Sequence, residues 1–182
     1  MGLDMYLTKK TYVKQWAHQK PEEQFEVIVK KGGVTYPNIN PNRINNVEEE
    51  VMYWRKFNAL HNWFVQNVQG GVDECQTSYV DREKIEELVG VLRQVKESLE
   101  KSAKGVVEVV GGWRDGKEYK VPLETFLDTE VAEELLPTAS GFFFGGTEYD
   151  EYYFEQVVET LEVLEKELED EKAYDFYYHA SW

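Results

Sequence analysis

The chain has 182 residues, a length that fits one domain. Its 35 Asp+Glu against 20 Lys+Arg give a formal net charge of -15, which argues against a broad surface that wraps a phosphate backbone. The 42% hydrophobic content suffices for a packed core, and the lone Cys75 excludes an intramolecular disulfide and disfavours a cysteine-based zinc site.

Residues 3–8 alternate, with Leu3, Met5 and Leu7 on one face and Asp4, Tyr6 and Thr8 on the other, so a half-buried strand is predicted. Phe25–Val29 reads as a second strand, closed by Gly32-Gly33. Between the two, His18–Glu23 is a polar connection containing Pro21. Residues 34–46, with Pro37, Pro41 and five Asn, read as a loop. A first helix is predicted from about Val47 to Gln69. Glu48, Glu49 and Glu50 would occupy its first turn, where the helix dipole favours negative charge. Tyr53, Phe57, Leu60, Phe64 and Val68 would share one arc, extended by Trp54, His61 and Val65, and Gly70-Gly71 would end it.

A second helix is predicted from the N-cap Asp81, with Ile85, Leu88, Val89, Leu92, Val95 and Leu99 as its apolar stripe and Gly105 marking its end. Val106–Trp113 and Lys117–Leu123 flank Asp115-Gly116, a favoured type I′ turn pair, so a hairpin is expected, with a bulge at Gly111-Gly112. Asp128 to Leu136 reads as a short helix stopped by Pro137. Three consecutive Phe then sit between glycines in Ser140–Thr147. Thr147 with Asp150 has the form of a capping box for a last helix running to about Glu171, with Phe154, Val157, Val158, Leu161, Leu164 and Leu168 as its stripe. The tail from Ala173 to Trp182 has aromatics on both faces, as expected of a central strand. The fold class is α+β: a mostly antiparallel sheet including both termini, packed by about three longer helices. Residues 1–182 are read as a single compact domain.

The charge is uneven. Residues 148–171 set Lys166 against 11 acids and carry two thirds of the net charge, whereas residues 1–46 hold 7 basic and 4 acidic residues. A local anion pocket is therefore compatible with the acidic average. Its candidate residues lie on the first predicted helix and the Phe-rich turn. Trp54 and Phe143 are expected to stack on a ligand, Arg55 to meet a phosphate bidentately, and Asn58, His61 and Ser140 to supply hydrogen bonds beside Tyr149. The competing reading makes His61 a packed histidine, Arg55 a solvated side chain and the turn a purely structural one. Gly-Gly-Thr at the head of a helix invites an anion, but Glu148, Asp150 and Glu151 would repel a phosphate there. Glu155, Glu159 and Glu162 on the acidic helix are either a solvated face or a surface that meets a basic protein, as a DNA mimic does. If the terminal strands pair, Asp4 and Tyr6 approach Tyr177 and His179 and form a carboxylate–phenol–imidazole group. Asp73 and Glu74 would raise the thiol pKa of Cys75, so it is discounted as a nucleophile. No catalytic residue, cofactor or metal ligand set is assigned.

Three strings resemble one family: Met1-Gly2-Leu3-Asp4-Met5-Tyr6-Leu7, then Tyr53-Trp54-Arg55-Lys56 with His61-Asn62-Trp63-Phe64-Val65, then Leu135-Leu136-Pro137-Thr138 with Ser140-Gly141-Phe142-Phe143-Phe144-Gly145. Together they are similar to small accessory proteins of bacteriophages and prophages, with the hairpin at about 105–130 looking like a variable insertion. The resemblance implies a protein that acts in the host bacterial cytoplasm and modulates or blocks a host system. The opening residues lack a basic n-region followed by an apolar segment, and no run of about 18 apolar residues occurs, so no membrane partner is expected. The expected activity is binding rather than catalysis, namely capture of a nucleotide-type small molecule to counter a bacterial defence. The alternatives are an inhibitor of a basic host protein acting through the acidic helix, and a small hydrolase or phosphodiesterase. The many aromatics would also suit a homo-oligomer.

Overall fold

The computed structural model describes residues 2–170 and 175–182. Strand β1 (Asp4–Tyr12) follows from the alternation at the start of the chain, and Leu3, Met5 and Leu7 are fully buried on its core face. A two-residue hairpin, β2 (Lys30–Lys31) and β3 (Val34–Thr35), turns at Gly32-Gly33, both at positive φ. The strand expected at Phe25–Val29 does not form. That segment meets no partner strand; the Phe25 carbonyl accepts from the Gln15 side chain and the Val29 carbonyl from the Tyr36 amide.

The largest departure concerns residues 47–69. Asn46–Arg55 is strand β4, and only Asn58–Asn67 is helical, as α1. Strand β4 lies antiparallel to β1, where Lys10 and Lys9 face Glu48 and Glu49. The Lys10–Glu48 ion pair spans 3.3 Å. The three glutamates thus oppose cations and a threonine across a ladder instead of capping a helix. Period-two packing buries Trp54 toward the core and leaves Tyr53 on the other face. Lys56, at φ 58, breaks the chain between strand and helix. The predicted arc is correct only from Phe57 onward, where Leu60, Phe64 and Val65 are buried. Gly70 and Gly71, at φ 64 and 80, end the helical stretch as expected.

Strand β5 (Ser78–Val80) leads to α2 (Arg82–Lys101), which has Asp81 at its N-cap and all six predicted stripe residues buried. The helix stops at Lys101, ahead of Gly105, because residue 104 already belongs to β6 (Lys104–Arg114). That strand pairs with β7 (Lys117–Phe126) through Asp115-Gly116, both at positive φ, and the register shifts between Val110 and Gly112. Helix α3 (Glu130–Leu135) precedes the Phe-rich turn. Helix α4 (Glu151–Leu168) begins later than the Thr147 capping box requires. Phe126 donates its amide to the Tyr149 carbonyl, and Thr125 bridges Asp150, so residues 149 and 150 are extended against the end of β7. Asp150 is therefore the cap, and its Oδ1 accepts from the Tyr153 amide at 3.0 Å.

Strand β8 (Asp175–Ser181) pairs with β1 on one side and β5 on the other, giving the order β4-β1-β8-β5. Both terminal strands are central: aromatics on both faces of the tail predict this for β8, whereas the one-sided alternation of β1 predicts only a half-buried strand. Helices α1, α2 and α4 cover one face. Trp54, Phe64, Phe176 and Tyr178 form its aromatic centre, with the Phe64 and Tyr178 rings stacked at 3.9 Å. Among the described residues, no helix is long and apolar enough to cross a membrane.

Candidate ligand site

The site grows from the junction of β4 and α1. A residue with a side chain at positive φ is costly, and Lys56 is held there by its surroundings. Its amide donates to the Leu3 carbonyl at 2.8 Å, while the Leu3 amide donates to the Phe143 carbonyl at 3.1 Å. Gly145, at φ 91, closes against the Lys56 stem, since a Cβ there would lie 3.1 Å from Lys56 Cβ. These contacts tie the N-terminal segment, the strand end and the Phe-rich turn into one unit.

Asn58 completes the clamp. Its Nδ2 donates to the carbonyls of Phe144 and Gly146 at 3.1 and 2.7 Å, and its Oδ1 accepts from the Ala139 amide at 2.9 Å. Thr138 Oγ1 donates to the Thr147 carbonyl at 3.0 Å. One buried amide therefore shapes both sides of the turn.

Against this frame lies a pocket of about 290 Å³, lined by Lys56, Phe57, Thr138, Gly146, Glu148 and Tyr152, with Asn58, Asp150 and Tyr153 at its walls. Lys56 supplies positive charge to the lining, and Arg55, exposed and outside the lining, approaches the same glycine, Gly2, as the Lys56 stem. Glu148 and Asp150 supply negative charge. Tyr152 donates its hydroxyl to the Arg55 carbonyl. Burial, then the Glu159 and Asp150 carboxylates, hold its phenol above the ordinary tyrosine range against the pull of Arg55. Tyr152 is thus a neutral donor at physiological pH.

The expected constellation is only partly assembled. Asn58 and the Phe-rich turn converge at the pocket, whereas Arg55 is exposed and is not among its lining residues. Trp54 is 1% exposed on the core face, and its Nε1 donates to Thr160 Oγ1 at 2.8 Å, so it is a core residue and offers no stacking surface. Asn58 uses its amide on the turn. Ser140 is exposed, Phe143 is half-buried against Phe142, and Tyr149 packs edge-on to Tyr153. His61 is 1% exposed, with Nδ1 2.8 Å from the Tyr178 hydroxyl and Nε2 3.0 Å from Asp73 Oδ2. A neutral imidazole satisfies both when Nε2–H donates to Asp73 and Nδ1 accepts from Tyr178. The packed reading of His61 is the one observed. Burial, reinforced by Asp73, pushes the Tyr178 phenol well above its usual range, and its side chain has no exposed surface. His61 and Tyr178 are core members of this network, and Asp73, with its side chain 28% exposed, is its surface end.

The terminal strands pair, with Tyr6 opposite His179 and the rings stacked at 6.3 Å. Asp4 faces Ser181 and accepts from the Tyr53 hydroxyl, so the carboxylate is engaged by β4 and not by the imidazole. Cys75 is exposed. Glu155, Glu159 and Glu162 are exposed on α4. Among the described residues, no cluster of three or more His, Cys, Asp or Glu is placed to hold a metal ion.

Local sequence patterns do not single out Lys56, Thr138, Gly146 and Tyr152 as lining residues. The signal available in the sequence was the adjacent pair Arg55-Lys56 at the end of a strand, masked by reading that strand as helix. No protein-family model, curated protein or solved structure matches the chain.

Proposed function

We propose that the chain is a binding protein that captures a small nucleotide-type molecule in the pocket between the β4–α1 junction and the start of α4. The observation that carries this reading is the polarity of that pocket. Lys56, next to Arg55 in the chain, shares the lining with Glu148 and Asp150, beside Phe57, Tyr152 and Tyr153. A phosphate would be drawn to Lys56 and kept from the helix start, where the carboxylates repel it. The carboxylates would accept hydrogen bonds from the amino or imino groups of a base. A ring would rest against the aromatic walls. A volume of about 290 Å³ suits one nucleoside monophosphate-sized ligand or part of a larger one. With the resemblance to bacteriophage accessory proteins, this reading gives a role: removal of a nucleotide signal used by a bacterial defence, in the host cytoplasm.

Calorimetric titration of the purified chain against a panel of mono-, cyclic and oligonucleotide signals tests it. Binding of at least one panel member is expected. Lys56→Gly, which removes the ammonium at a position whose backbone glycine accepts, should weaken that binding tenfold or more. Absence of binding across the panel at millimolar ligand would overturn the reading. A ligand recovered intact after incubation supports sequestration; a cleaved one supports the hydrolase or phosphodiesterase alternative.

A second reading is favoured by the exposure of Glu155, Glu159 and Glu162 on one face of α4, where none of the three pairs with a cation among the described residues. It is an inhibitor that occupies a basic surface of a host protein.

A further inference from the structure

Helices α1, α2 and α4 lie against one face of the four-stranded sheet, so the residues that alternate with the buried ones point to the other. Cross-strand pairing fixes what stands there. Tyr6 lies opposite Tyr53 on β4 and His179 on β8, and Tyr177 lies opposite Tyr79 on β5. The Tyr6 ring is 5.2 Å from that of Tyr53 and 6.3 Å from that of His179, and Tyr79 meets Tyr177 at 5.8 Å. Five rings therefore run across all four strands, a width of about 14 Å at the usual strand spacing. Tyr53 and Tyr79, at the two ends of the band, are 42% and 50% exposed.

Carboxylates flank the rings. By the same register, Asp4, Glu48, Glu50 and Asp175 share this face with the cations Lys10 and Arg55. Asp4 accepts the Tyr53 hydroxyl. Lys10 pairs with Glu48 at 3.3 Å and sets its ammonium 4.2 Å from the centre of the Tyr177 ring. The face thus already holds one ammonium of its own between a ring and a carboxylate. Glu50 and Asp175 pair with no cation among the described residues. A phenol ring carries negative charge density on its face and attracts a cation, so rings and carboxylates favour the same kind of group.

We infer that this face docks a basic, extended segment of a partner protein, with arginine or lysine side chains on the Tyr53–Tyr6 and Tyr177–Tyr79 pairs and against the Glu50 and Asp175 carboxylates. Charge complementarity selects that occupant. Carboxylates outnumber cations on the face, so a second copy would set like charge against like. A nucleic acid has bases that suit the rings, but its phosphates meet the same carboxylates. A basic side chain satisfies both features at once, in the arrangement that Lys10 already shows. The net charge of -15 draws such a partner from a distance. Alternate side chains of an extended segment stand about 7 Å apart, so two or three reach across the band. The surface lies on the side of the sheet away from α4, and it is separate from the one that bears Glu155, Glu159 and Glu162.

Calorimetric titration of the full chain with an alternating arginine–serine octapeptide tests this, beside a glutamate–serine octapeptide and a deoxythymidine octamer. The salt is physiological, where charges beyond about 8 Å are screened. The basic peptide should bind and the acidic one should not. Tyr53→Thr with Tyr79→Thr leaves every charge in place and keeps strand-forming residues, and it should weaken that binding tenfold or more. Glu50→Gln with Asp175→Asn should weaken it at least threefold. The triple variant Glu155→Lys, Glu159→Lys, Glu162→Lys should bind within threefold of the parent, although it alters the net charge far more. Thermal melts of the two face variants should match the parent, because all four positions are exposed. A basic peptide that fails to bind at millimolar concentration overturns the inference. So does a Tyr53/Tyr79 variant that binds it like the parent, or an α4 variant that loses more than the face variants do. Oligonucleotide binding that the Tyr53/Tyr79 variant abolishes would assign the rings to bases and overturn it too. The nucleotide pocket shares no lining residue with this face, so either reading can fail without the other.

Discussion

Single side chains decide whether the pocket exists. Asn58 holds three backbone groups from 81 to 88 residues away along the chain. Asn58→Ala would leave those groups unpaired in a buried setting, at about 1–3 kcal/mol for each that water cannot reach. Chemical denaturation of that variant should show a loss of at least about 2 kcal/mol; a loss below about 0.5 kcal/mol would mean that the clamp is not formed. Two phenols make a second residue-level prediction. Burial raises the pKa of Tyr153, whose hydroxyl donates to the Leu136 carbonyl at 2.9 Å, and burial with Asp73 raises that of Tyr178. In the unfolded chain both would ionise near pH 10. Above that pH the unfolded state releases protons that the folded state keeps, so stability falls as pH rises. Below it both states are protonated, and the contribution is fully present. The denaturation midpoint should therefore be insensitive to these groups up to about pH 9 and drop beyond about pH 10. Tyr153→Phe should flatten the alkaline limb, and a limb of unchanged steepness would assign the effect elsewhere.

At the level of elements, the informative segment is the one where strand replaced helix. The apolar arc that starts at Tyr53 is helical only from the N-cap Phe57 onward, and the residues before it satisfy period two as well. The two patterns overlap over short spans, and only pairing with β1 separates them. Lys56 marks the border. A non-glycine residue in the left-handed region costs roughly 1 kcal/mol, so Lys56→Gly should keep or slightly raise the melting temperature while it weakens ligand binding. A variant that lost stability as well would show that the lysine stem packs as a structural part. Helix α2 gives the opposite case. Its stripe of six apolar residues is buried in full, because twenty residues of unbroken 3.6-residue periodicity admit no rival pattern. The hairpin turn was equally legible, since Asp115-Gly116 supplies two positive-φ positions in the order a type I′ turn needs.

For the whole molecule, the acid concentrated in α4 is only partly neutralised. Lys9 reaches Glu167 at 2.8 Å and Arg93 reaches Glu165 at 2.6 Å. The face bearing Glu155, Glu159 and Glu162 faces solvent. Replacing all three by Lys should leave melting behaviour near the parent value. If the acidic face is a docking surface, the same triple variant should lose a salt-sensitive complex in pull-downs from host lysate. Retention of that complex at full yield would exclude the acidic face.

The sequence by itself determined the α+β class, the pairing potential of both terminal strands, helix α2, the long hairpin and the charge of α4. Each is written in periodicity, turn residues or composition over a few adjacent positions. Only the tertiary structure decided that residues 46–55 form a strand, that Trp54 and His61 belong to the core, and that the pocket is lined by Lys56, Glu148 and Tyr152. Those outcomes depend on partners far apart in the chain: Glu48 across from Lys10, Asn58 to Phe144, Tyr152 to Arg55. A local pattern fixes which way a side chain points relative to its neighbours in sequence. Which surface it then meets is set by how the sheet and helices close on one another.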